Sequence, residues 1–122
     1  MTSPNMFIVY VSDVARTIDF YRQLFEIEPS FVRSPGFATF SLADGADLAL
    51  WSGHGDALDG DPVRTSEVTL CLPGGPEGID EQYRAWSGLG VTVLEPPHDA
   101  VFGRTFVVAD PDGNRIRVAP VD

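Results

Sequence analysis

The strongest constraint on this chain is the run FVVADPDGNRIRV, residues 106–118. Residues 105–109 carry a strand pattern, and residues 115–118 resume it, with Ile116 and Val118 on one face and Arg115 and Arg117 on the other. Between them stand Asp110, Pro111, Asp112, Gly113 and Asn114. Proline presets φ, glycine accepts positive φ, and Asx side chains bond their own backbone. The run is therefore a β-hairpin closed by its own turn chemistry.

The same logic orders the rest of the chain. Residues 6–11 form a short apolar strand, and Ser12 or Asp13 caps a helix whose stripe is Val14, Ile18, Tyr21 and Phe25. Residues 26–29 end it. Strands are expected at 30–33, 37–42 and 47–52, broken by Ser34-Pro35-Gly36 and Ala43-Asp44-Gly45. Residues 53–65 are rich in Gly, Asp and Pro and read as a linker. A strand at 67–72, a helix marked by Ile79, Tyr83, Trp86 and Leu89, and strands at 91–94, 105–109 and 115–118 follow. Both halves thus read β-α-β-β-β. The expected fold is α+β, one domain of paired βαβββ modules (about 5–52 and 66–120) built by internal duplication.

Composition narrows the function. A chain of 122 residues fits one domain with a real core, and its net charge of −10, from 18 acids against 8 bases, disfavours nucleic acid and anionic membranes as partners. The single cysteine, Cys71 in VTLCLP, allows no intramolecular disulfide and reads as a small buried thiol. No apolar stretch is long enough to span a membrane, and MTSPNMFIVYV lacks a basic leader, so a cytoplasmic protein is expected.

VYVSDVARTIDFYRQLF and FVVADPDGNRIRV resemble the two signature stretches of the vicinal oxygen chelate superfamily. That superfamily includes glyoxalase I, extradiol dioxygenases, and fosfomycin and bleomycin resistance proteins. YVSDVARTIDFYR, LALWSG, the SEV…LP run and DAVFGRTFVVADPDGN resemble, within it, phenazine antibiotic resistance proteins. The resemblance spans essentially the whole chain. It implies sheets curled around a central cavity, commonly completed in a homodimer.

Metal-dependent members carry four ligands, usually His, Gln or Glu, one on each of four strands. The resemblance maps those positions onto Met6, Ala49, Glu67 and Arg117. Glu67 alone is a ligand for a hard or borderline cation. Met6 is a soft thioether, Ala49 has no donor, and Arg117 repels metal. Neighbouring Phe7, Leu48, Val68 and Ile116 offer no ligand either. His54 and His98 read as exposed loop histidines. No metal and no cofactor are expected, and Glu67 and Arg117 either pair across the vacated site or are solvated separately at the ends of short strands.

Strand parity then gives the cavity wall: Met6, Ile8 and Tyr10 on the first strand, Ala49 and Trp51 on the fourth, and Glu67, Thr69 and Cys71 on the fifth. Phe37, Phe40 and Phe102 are further aromatic candidates. Trp51 beside the small Ala49 makes a flat wall for a planar aromatic. Arg117 can meet a ligand carboxylate, and Arg104 reads as a surface charge. No nucleophile stands beside a base, and no glycine-rich loop cradles a phosphate, so no catalytic residue is assigned. The expected function is metal-free binding of a planar aromatic molecule such as a phenazine, giving antibiotic resistance by sequestration. The alternative is an enzyme, metal-free or metal-dependent, of the glyoxalase or dioxygenase type, acting on an aromatic metabolite.

Overall fold

A computed structural model describes residues 2–33, 35–60 and 62–121. The chain divides between Pro62 and Val63 into two compact units. The first contains β1 (Met6–Tyr10), α1 (Val14–Phe25), β2 (Phe31–Arg33), β3 (Phe37–Ser41) and β4 (Asp47–Trp51). Its sheet runs β1-β4-β3-β2, with β1 parallel to β4 and the other pairs antiparallel. Asp13 caps α1, its carboxylate accepting from the Arg16 N–H at 3.1 Å, and Glu26 stops the helix in the left-handed region at φ 56°. The β3–β4 turn closes on Asp44 and Gly45, both at positive φ, as a primed hairpin turn requires.

Helix α1 covers one face of this sheet. Val14, Ile18, Tyr21 and Leu24 are buried, and the Tyr21 ring stacks on Phe40 at 6.3 Å. Register puts Val9, Leu48, Leu50, Ala38 and Phe40 on that covered face. Phe40 is therefore core, and its expected place in the ligand site is corrected: it is fully buried on the side away from Ala49 and Trp51.

The second unit holds β5 (Glu67–Leu72), α2 (Gly75–Ser87), β6 (Thr92–Ala100), β7 (Gly103–Ala109) and β8 (Arg115–Pro120). Its sheet runs β5-β8-β7-β6, again with a parallel first pair. Tyr83 and Trp86 from α2 pack edge-on against Phe106, with centroids at 5.2 and 5.7 Å. Leu89, expected on the helical stripe, lies beyond the Gly88 cap and is exposed. The strand expected at 91–94 runs on to Ala100 through Pro96 and Pro97. It does so as an edge strand with two register shifts, where a missing ladder N–H costs little. Cys71 is exposed, not buried, because β5 is also an edge strand and Cys71 lies on the face away from α2.

The terminal hairpin is held as its residues dictate. The buried Asp110 carboxylate accepts from the Asp112 and Asn114 N–H groups and from the Asn114 side chain, all at 2.9 Å, and Gly113 takes φ 83°. Arg64 donates to Asn114 Oδ1 at 3.2 Å and to the Asp112 carbonyl, tying residue 64 to the turn. Residues 53–65 are not wholly irregular, since Gly55–Leu58 makes one 3₁₀ turn. Among the described residues no helix is long and apolar enough to cross a membrane.

Candidate functional site

Each sheet has one face under its helix and one face turned away from it. In the first unit the open face is built of cross-strand rows. Tyr10, Trp51, Phe37 and Arg33 align in one row; Ile8, Ala49, Thr39 and Phe31 in the next; Met6, Asp47 and Ser41 in the third. Met6, Ile8, Tyr10, Ala49 and Trp51 thus share a face, as strand parity predicts. Ala49 is fully buried, so its expected place in the cavity wall is corrected: its neighbours cover it and it presents no surface to a ligand.

The aromatic end of this face is ordered by its own contacts. Tyr10 lies 6.0 Å from Trp51, tilted by 57°. His54 meets both edge-on, at 5.4 Å from Tyr10 and 5.0 Å from Trp51, and Phe31 meets Phe37 at 6.5 Å. A Cβ on Gly53 would fall 2.2 Å from the indole carbons of Trp51, so the ring lies directly over Gly53 and any side chain there would displace it. Sequence reasoning left His54 as a loop residue and gave Gly53 no role beyond the linker. The available signal was the tetrapeptide WSGH, a small residue and an aromatic base placed immediately after the strand.

The open face of the second unit is charged. Glu67 and Arg117 pair: Arg117 Nε donates to Glu67 Oε1 at 2.6 Å and Nη2 to Oε2 at 3.0 Å. Arg115 adds a bond from Nε to Glu67 Oε2 at 2.9 Å and another from Nη2 to Glu95 Oε2 at 2.6 Å. Arg117 Nη1 also donates to Thr105 Oγ1 at 3.1 Å, and its guanidinium sits 5.7 Å from the Phe102 ring centroid. The Arg117 hydrogen bonds, with those of Arg115, hold the Glu67 carboxyl below its ordinary range despite partial burial. Glu95 is lowered chiefly by Arg115, and both guanidinium values are raised in turn. His98 lies 3.6 Å from Glu95 and bonds the Pro96 carbonyl at 2.9 Å.

Phe102 also lines a depression of about 320 Å³ with Leu72, Ile79, Arg104 and Pro120. Arg104 is a surface charge held by Asp80 at 3.0 Å and Asp99 at 3.4 Å, and Asp80 raises its pKa.

The four positions that hold a metal in related sequences do not fit one here. Both Glu67 oxygens are occupied by guanidinium donors, Arg117 is one of those donors, and Met6 and Ala49 supply no oxygen or nitrogen ligand. Among the described residues no group of three or more His, Cys, Asp or Glu side chains can hold a metal ion.

Comparison with known proteins agrees with this architecture. Residues 3–118 match the model of the Glyoxalase/Bleomycin resistance protein/Dioxygenase superfamily. The chain is 42% identical over 123 residues to the phenazine antibiotic resistance protein EhpR of Enterobacter agglomerans, covering 98% of this chain and 93% of that protein. Its fold is similar to that of protein ATC0852 from Agrobacterium tumefaciens (TM-score 0.82, 34% identity, 98% of both chains). It is also similar to that of a possible glyoxalase from Bacillus cereus (TM-score 0.77, 26% identity, 98% of this chain and 99% of that one).

Proposed function

The chain belongs to the glyoxalase/bleomycin resistance protein/dioxygenase superfamily, and from that premise we propose that it is a metal-free cytoplasmic protein conferring antibiotic resistance by sequestering a planar aromatic compound such as a phenazine. The observation that carries this reading is the aromatic cluster at one end of the first unit's open face: Tyr10, Trp51 and His54 in mutual ring contact, with Trp51 seated on Gly53. Offset stacking on such a ring contributes about 0.5–1.5 kcal/mol beyond the area buried. The name of the 42% identical relative supports the drug class.

Sequestration is stoichiometric and asks no chemistry of the protein. Glu67 is the natural acid or base for a metal-free enzyme, and its setting opposes that role. Its pKa is lowered and its lone pairs are engaged by two arginines, so it is a poor proton donor and a hindered base.

We further propose that the protein acts as a homodimer. Strand β1 is a sheet edge whose Met6, Phe7 and Ile8 are 42, 53 and 48% exposed, an apolar edge of the kind proteins usually cover. Light scattering should give twice the chain mass, and a monomer at micromolar concentration would remove this part.

The test of binding is tryptophan quenching by a phenazine carboxylate, by bleomycin and by a non-aromatic control. It is run on the wild type and on Trp51→Phe, because the buried Trp86 also emits. Saturable quenching that resists chelator, fades in the variant and returns the compound unchanged is expected. Silence towards every planar aromatic sinks the reading, and a chemically altered compound replaces sequestration with catalysis.

A further inference from the structure

We infer that Arg33 makes the open face of the first unit selective for planar aromatics that carry a carboxylate. The inference rests on the proposed aromatic site and adds the charge class of its ligand. Arg33 aligns with Phe37 on the neighbouring strand, Phe37 aligns with Trp51, and Trp51 with Tyr10. Cross-strand partners project from the same side of a sheet, so one row presents three rings and then a guanidinium. From Trp51 to Arg33 is two strand spacings, roughly 10 Å, a span that suits a three-ring aromatic with an acid group at its far end.

Arg33 is also set apart among the cations. The chain has eight basic residues, all arginines. Arg22, Arg104, Arg115 and Arg117 are in ion pairs, Arg16 bonds Ser12, and Arg64 bonds the terminal turn. Among the described residues the guanidiniums of Arg33 and Arg84 alone carry no side-chain hydrogen bond or ion pair, and Arg84 lies on α2 in the other unit. The carboxylate on the open face of the first unit, Asp47, is two rows and two strands away from Arg33. An acidic ligand is thus drawn to the Arg33 end of this row and away from the row that holds Asp47. In a protein of net charge −10 this selection must be local, because the long-range field disfavours any anion. Arg117, the arginine expected to meet such a group, already spends its planar fork on Glu67.

The experiment compares a phenazine monocarboxylate with its neutral carboxamide, by tryptophan quenching, on the wild type, Arg33→Gln and Arg84→Gln. The wild type should bind the carboxylate about tenfold more tightly than the amide, the effect of one exposed charge-assisted pair. Arg33→Gln should erase that gap by weakening the carboxylate alone, and Arg84→Gln should keep it. Equal affinity of the wild type for both compounds, or a gap that survives Arg33→Gln, overturns the role of Arg33 while leaving the aromatic site intact. Failure of both compounds to bind the wild type overturns the aromatic site and this inference with it.

Discussion

The two units share a plan and differ in what they leave uncovered. Each sets one helix on a four-stranded sheet through an aromatic contact, Tyr21 on Phe40 in the first and Tyr83 with Trp86 on Phe106 in the second. Ala49 and Arg117 each stand third in an inner strand, and Met6 and Glu67 each open a parallel edge strand. One open face is mainly aromatic and apolar, with Arg33 at its rim and Asp47 two rows away. The other has kept its charges and neutralised them in pairs. Dense packing restricts the helix-covered faces to similar solutions, whereas an open face is free to diverge in chemistry.

The largest effects should come from breaking what the units share. Phe40→Ala and Phe106→Ala should each cost about 3–5 kcal/mol in denaturant unfolding, because both rings are fully buried. Phe37→Ala, on the open face, should cost clearly less than Phe40→Ala; equal losses would contradict the assignment of opposite faces.

Next is the charge network of the second unit. Glu67→Gln should cost about 0.5–1 kcal/mol at neutral pH, since it leaves two partly solvated guanidiniums around a neutral amide. The folded-state pKa of Glu67 is depressed, so its contribution is present above the unfolded value of about 4.5 and is lost as pH falls through the lowered folded value. The acid limb of a stability–pH curve should therefore flatten in Glu67→Gln.

Gly53→Ala sharpens the contrast from the other side. It should weaken binding of a planar aromatic by about tenfold, as the new methyl lifts the indole out of place. Unfolding should barely change, because Gly53 is exposed. Smallest of all is the effect of metal: adding zinc or chelator should leave the melting temperature and the quenching titration unchanged, and a rise with zinc would mean that a donor set other than the four family positions exists.

Much of this was legible in residue order. The hairpin turn was readable because Asp110, Gly113 and Asn114 act on their own backbone within five residues. The ion pair of Glu67 with Arg117 was one of two outcomes that the sequence left open, and the structure selects it by placing the carboxylate and the guanidinium on one face. Phe40 was not readable as core. Phe37 and Phe40 are three apart in one strand, so they face opposite ways, but only the pairing with β4 decides which of them joins Trp51. Strand β6 was cut short because two prolines oppose a central strand and are tolerated at an edge, and edge position is a property of the sheet.

The sequence by itself determined the repeated order of elements, the capped and punctuated turns and the apolar stripe of the first helix, since each depends on residue type and local spacing. The tertiary structure decided what depends on partners distant in the chain. It chose which phenylalanine faces outward, exposed Cys71 on an edge strand, brought His54 onto Tyr10 and Trp51, and aligned Arg33 with three rings from three other strands. Cross-strand register is set by the packing of whole faces, and no local rule encodes it.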